Sequence, residues 1–140
     1  MVINFWSCDC PHVVRADRLI TEWCESWGQD VVLLPIASNA TESPEAVTAA
    51  ARQRRLPRVL LDRQHLVADL YAAQTTPQAF VVDREGRLRY RGAIDDTSFQ
   101  QRLPSRYFLK EALQALIAGE VPRVSETNPY GCAIVRHALE

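Results

Sequence analysis

Four residues of this chain are equipped for covalent chemistry: Cys8, Cys10, Cys24 and Cys132. A thiolate is a nucleophile, a metal ligand and an oxidisable group, so each position calls for its own reading. Their spacing contains no paired C-x-x-C units of the zinc-ribbon kind. Cys10 is the most informative, because it ends the loop Ser7-Cys8-Asp9-Cys10 and precedes Pro11 at the expected first position of a helix. Unpaired N–H groups and the dipole at a helix N-terminus favour an anion, so a thiolate is expected at Cys10, the candidate nucleophile. The alternative is a buried, inert thiol. Cys8 could pair directly with Cys10 only through a small strained ring. Cys24 falls beside Trp23 and Trp27 on an apolar helical stripe and reads as structural. Cys132 lies in the turn-rich segment Asn128-Pro129-Tyr130-Gly131-Cys132, where a mobile tail could deliver a resolving thiol or leave an exposed one.

The elements that must position these residues follow from hydrophobic period. Val2 to Trp6 reads as a strand that runs straight into the cysteine loop. From Pro11, the positions Val13, Ala16, Ile20, Trp23, Cys24 and Trp27 recur at helical spacing, with Arg15, Asp17, Arg18, Glu22 and Glu25 on the other side and Gly28 as the stop. Val31 to Ile36 has the unbroken apolar character of a strand buried on both faces. After a polar loop, Ser43-Pro44 opens a helix to about Arg55, and Arg58 to Leu61 is a short strand. Gln64 to Ala73 reads as a helix with Leu66, Leu70 and Tyr71 on one side. Ala79 to Asp83 and Arg87 to Arg91, joined by Arg84-Glu85-Gly86, form a hairpin. Ser105 to Ala118 is the last helix. This order predicts an α/β fold: a mixed sheet, parallel strands first and the antiparallel hairpin at one edge, with helices on both faces.

Composition narrows the functions. The 140 residues suit one domain, 1–140, with 119–140 as a looser tail carrying Cys132. Apolar residues make up 47% and charged residues 24%, as in ordinary globular chains. A formal net charge of -1 supplies no field for steering polyanions, so nucleic acid is not an expected partner. The arginines of Arg52-Gln53-Arg54-Arg55 and at 84, 87, 89 and 91 read as solvated faces. No apolar run approaches the roughly 18 residues of a membrane span, and no signal-peptide pattern opens the chain. Because a core-type strand starts at Val2, an N-terminal segment carried by relatives is expected to be missing. That would leave a sheet edge on which a second copy could pair to make a homodimer. The compartment stays unassigned, since free thiols suit a reducing cytosol while a missing segment could have held an export signal.

Phe5-Trp6-Ser7-Cys8-Asp9-Cys10-Pro11-His12-Val13 resembles the active-site segment of thioredoxin-like proteins, where a strand ending in Phe-Trp leads to W-C-x-x-C. The alignment places Cys10 at the first active-site cysteine and Val13 at the second, so the usual resolving thiol is absent. Thr75-Thr76-Pro77-Gln78-Ala79-Phe80-Val81-Val82-Asp83-Arg84-Glu85-Gly86 resembles the family segment T-P-x-x-F-x-x-D-x-x-G. That likeness implies a cis proline at Pro77 and a Thr76 backbone free to pair with an extended substrate. Gly131-Cys132-Ala133-Ile134 resembles the C-terminal G-C-x-I of some bacterial members of the redoxin group, the alkyl hydroperoxide reductase and thiol-specific antioxidant proteins.

The resemblance, which spans residues 2–134, implies a thioredoxin-like fold and a thiol/disulfide oxidoreductase. Cys10 would be its nucleophile, Cys132 or Cys8 its resolving thiol, and Trp6, Pro11, His12, Thr76 and Pro77 its substrate-binding residues. Partners would be a protein or small-molecule disulfide and a thiol reductant, with no cofactor. Three alternatives stand beside this: a thiol peroxidase, although nothing like P-x-x-x-T-x-x-C precedes Cys10; a metal module of Cys8, Cys10 and His12 with His65 or His137; and a binding domain that has lost catalysis.

Overall fold

The computed structural model describes residues 1–137. Its central strand β1 (Val2–Trp6) is buried along its whole length, and its alternate side chains feed two opposite layers. Val2 joins Ala16, Ile20, Trp23, Leu109 and Leu113, from the helices α1 (Pro11–Trp27) and α4 (Phe108–Ile117). Ile3 and Phe5 face the other way, onto Ala68 of α3 (Leu66–Leu70), Ala73 and Ile134. Trp6 packs with Cys10, Val13, Val47 and Ala51, where α2 (Pro44–Gln53) lies beside the start of α1.

β1 pairs in parallel with β2 (Leu33–Ala37), which pairs in parallel with the two-residue β3 (Leu60–Leu61). On its other side β1 is antiparallel to β5 (Gln78–Val82), which forms a hairpin with β6 (Leu88–Gly92). The sheet order is β3-β2-β1-β5-β6. This mixed sheet with helices on both faces is the predicted α/β class, and the thioredoxin-like arrangement of these elements is the predicted fold. Among the described residues, no helix is long and apolar enough to cross a membrane.

Two local expectations change. The helix expected over Gln64 to Ala73 is only Leu66–Leu70, with Leu66 and Leu70 exposed and Ala68 at the contact instead. Its start is set by Asp62, whose carboxylate accepts from the backbone N–H groups of Val67 and Ala68. The last helix begins at Phe108 rather than Ser105, because the Asp96 carboxylate accepts from the N–H groups of Ser105 and Arg106 and holds them outside the helix.

The largest difference lies after α4, where the expected mobile tail is stitched to the body. The carbonyl of Ser125 accepts from Arg91 N–H at 3.0 Å and Thr127 N–H donates to the Arg91 carbonyl at 3.0 Å, which covers the outer edge of β6. Gly92, at φ +138, leaves room for this crossing, since a Cβ there would lie 2.3 Å from the Thr127 carbonyl oxygen. The chain then reaches β4 (Thr75–Thr76) as the antiparallel strand β7 (Cys132–Ala133), with Thr76 opposite Cys132. Beyond it, Ile134 N–H donates to the Gln74 carbonyl at 2.9 Å and Arg136 Nε pairs with Asp69 at 2.8 Å. Residues 138–140 of the expected tail lie outside the described residues.

Gly131 permits the approach of β7, because a Cβ at this position would fall 2.1 Å from the Thr76 carbonyl oxygen. Gly131→Ala is therefore expected to lift β7 from β4 while the main sheet holds. Hydrogen exchange checks this: the Ile134 amide should lose protection and the β1 and β5 amides should keep theirs.

Candidate functional site

Cys10 is the N-cap of α1, with Pro11 at the first helical position. Its side chain does not cap the helix. Instead the thiol, buried in the layer formed by Trp6 and Val13, donates to the Thr76 carbonyl at 3.3 Å. The hydroxyls of Ser7 and Thr76 pair at 2.8 Å, a second link between the cysteine loop and β4. The Thr76–Pro77 peptide bond is cis, and both residues are buried.

The pairing of β7 with β4 brings Cys132 beside Cys10, 122 positions away in sequence, and both are free thiols. The Cys132 thiol is pushed up to about 11, first by desolvation and then by the neighbouring Cys10 sulfur. A second contact joins the same two segments: the ring of His12, two residues after Cys10, meets that of Tyr130, two before Cys132, edge-on with centroids 4.9 Å apart.

Cys8 points elsewhere. Its N–H donates to Glu42 at 2.8 Å, and its thiol is pushed up to about 12 by burial and then by the Glu42 carboxylate. Cys8 is thus held as a neutral thiol, poorly suited to nucleophilic attack. Cys24 is partly buried against the cluster beneath α1 and α4, and burial raises its thiol as well. Among the described residues, no three His, Cys, Asp or Glu side chains are grouped to hold a metal ion. His65, a candidate distant ligand, instead has Nδ1 3.2 Å from the Ser38 hydroxyl and accepts the His137 N–H on Nε2 at 3.1 Å.

The supporting layer is where the sequence reading falls short. Arg54, read as part of a solvated face, has a side chain only 14% exposed. It donates through Nη1 to the Ser7 carbonyl and to Asp17, each at 3.2 Å, and through Nη2 to the Cys8 carbonyl. Its guanidinium also lies 4.9 Å over the Trp6 ring. Asp17, assigned to the polar side of α1, is buried and accepts from the Trp6 indole N–H at 2.7 Å. Trp6, expected to touch substrate, has no exposed surface and cannot reach one. Its indole and Arg54 brace the cysteine loop from below. Pro11 is exposed beside that loop, whereas the Thr76 backbone expected to pair with a substrate is paired with Cys132.

The AhpC/TSA family model matches residues 1–91, a stretch that holds Cys10 and Thr76 but not Cys132. The chain belongs to the AhpC/TSA family. Two solved structures resemble this AhpC/TSA chain over 99% of its length. One is a hypothetical protein from Sinorhizobium meliloti 1021, with a TM-score of 0.87, 27% identity and 80% of that chain covered. The other is an uncharacterized conserved protein from Geobacillus kaustophilus, with a TM-score of 0.86, 28% identity and 78% covered. A thioredoxin-like protein solved in its oxidized form superimposes at TM-score 0.69 and 19% identity, over 85% of this chain and 78% of that one, and shares the fold. No curated protein matches the chain.

Two measurements test the electrostatics of this AhpC/TSA site. Burial raises Asp17 above the ordinary carboxylate value of 3.8, and Trp6 and Arg54 oppose that rise. A raised carboxyl contributes stability below its unfolded value that is lost as pH climbs through its folded one. Removing Arg54 raises it further. Arg54→Ala should therefore cost about 3 kcal/mol at neutral pH, as for a buried pair stripped of one partner, and less in acid, in paired urea titrations. For the thiols, alkylation of Cys132 should titrate near 11, and Cys10→Ser should move that midpoint part of the way down toward 9.0. An unmoved midpoint would mean that the two sulfurs do not interact.

Proposed function

We propose that this protein is a thiol/disulfide oxidoreductase that uses Cys10 as nucleophile and Cys132 as resolving thiol. The observation that supports this reading most is the β4 and β7 pairing, which sets Cys132 opposite Thr76 while the Thr76 carbonyl accepts the Cys10 thiol. Family membership supports the broader class of thiol oxidoreductases and peroxidases.

The Cys10 thiolate attacks one sulfur of a substrate disulfide, the S–S bond breaks, and the departing thiolate takes up a proton. Cys10 is then bonded to the other half of the substrate. The Cys132 thiolate attacks the Cys10 sulfur, forms the Cys10–Cys132 disulfide and expels the second thiol. Two electrons and two protons have passed from the protein to the substrate, and a dithiol reductant must restore both cysteines. Binding the substrate half to Cys10 removes the charge that repels the Cys132 thiolate, so the second thiol becomes easier to ionise when it is needed.

A peroxidase reading rests on the same pair: Cys10 would become a sulfenic acid, with water as the other product, and Cys132 would condense with it. Membership of the AhpC/TSA family fits either reading, and the peroxidase stands second because nothing like P-x-x-x-T-x-x-C precedes Cys10.

Cys10→Ser should abolish reduction of a model disulfide, whereas Cys132→Ser should still attack and then accumulate the mixed disulfide on Cys10, seen as an added mass. Full activity in Cys10→Ser would overturn the proposal. Peroxide consumption faster than disulfide reduction, with the same dithiol, would move the assignment to the peroxidase.

A further inference from the structure

The strand that an extended polypeptide would pair with, β4, already carries β7 of the same chain, with Thr76 opposite Cys132. Beside the two segments that carry the sulfurs lies a cleft of about 360 Å³ whose lining includes His12, Arg15, Phe99, Arg102 and Tyr130. That volume falls in the range of small-molecule sites, roughly 300–1,000 Å³. One wall of the cleft comes from the two segments that carry the thiols. His12 follows Cys10 by two positions, Tyr130 precedes Cys132 by two, and their rings touch.

The charges in the cleft are of one sign. Arg15 is neutralised, since it grips Asp95 through both Nη atoms at 2.6 and 3.1 Å and reaches the Thr97 hydroxyl at 2.9 Å. Arg102 is exposed and, among the described residues, forms no ion pair. No carboxylate lines the cleft. Phe99, 81% exposed, adds an apolar face beside it. An unpaired guanidinium in the same cleft as an apolar side chain suits a carboxylate on a short hydrocarbon arm.

We infer that this cleft selects small disulfides bearing carboxylates, with Arg102 binding the carboxylate and the His12–Tyr130 wall directing the S–S bond toward Cys10. The inference rests on the disulfide-exchange reading above and deepens it by naming the substrate class. The reaction is the balanced exchange already written, in which each half of the substrate leaves as a carboxylate-bearing thiol and an external dithiol supplies the electrons.

Two experiments separate the cleft from the chemistry. The thioether thiodipropionate has two carboxylates and no S–S bond, so it can bind but not exchange. Calorimetry should show it binding wild-type protein about fivefold more tightly than Arg102→Gln, the size of one exposed charge pair. Equal affinity would overturn the inference. In the second experiment, the dianion dithiodipropionate, the neutral bis-hydroxyethyl disulfide and the dication cystamine are compared as substrates. Rates should fall in that order, and Arg102→Gln should narrow the gap between the first two, as should added salt. Equal rates for all three would also overturn it. If none of the three is reduced while thiodipropionate still binds in an Arg102-dependent way, the cleft assignment stands and the oxidoreductase reading falls.

Discussion

A two-residue antiparallel pairing, Thr76 against Cys132, is the contact on which the arrangement of this site depends. Two ladder positions would not hold a strand by themselves. They persist because the segment is fixed on both sides, by Thr127 at the rim of β6 and by Ile134, which is buried with Phe5 and Phe80. The tail is therefore a strap anchored at two points, with Cys132 at the span between them. Gly92 and Gly131 are the positions where the strap comes so close to backbone that a Cβ would collide with it.

Beneath the other half of the site lies one buried ion pair. Arg54 and Asp17 alone would be an uncertain source of stability, because desolvation opposes their attraction. Here each has further partners: Arg54 takes the Ser7 and Cys8 carbonyls and the Trp6 face, and Asp17 takes the Trp6 indole. The pair thus ties α2, α1 and β1 to the loop that ends in Cys10. The consequence is geometric, because these contacts hold the loop carbonyls down while the Cys10 thiol remains directed at Thr76.

The fold was legible because its signals are periodic and local. The apolar run before Ile36, the α1 stripe and the Gly86 hairpin each state their own structure, and their order limits the topology. The site was legible only in part. Cys10, Thr76 and Pro77 sit at turns whose residue types mark them. Arg54 carries no such mark, since a buried arginine and a solvated one share the same sequence context, and burial is decided by Asp17, 37 positions away. The tail could not be read for a related reason. A β-strand of two residues has no period, and its register is set by close approach at Gly131 rather than by alternation.

Burial raises three of the four thiols, Cys8, Cys24 and Cys132, and the further causes at Cys8 and Cys132 differ. Cys8 is raised by burial and by Glu42, a fixed neighbour whose charge does not change when Cys10 reacts. Cys132 is raised by desolvation and by Cys10 itself, so part of its restraint disappears once the Cys10 sulfur is bonded. In the proposed exchange that partial release would make Cys132 easier to ionise after Cys10 has reacted, while the larger part of the restraint, desolvation, stays in place. The same strand that presents Cys132 also pairs with β4, so the placing of this thiol and the covering of the Thr76 backbone follow from one piece of chain.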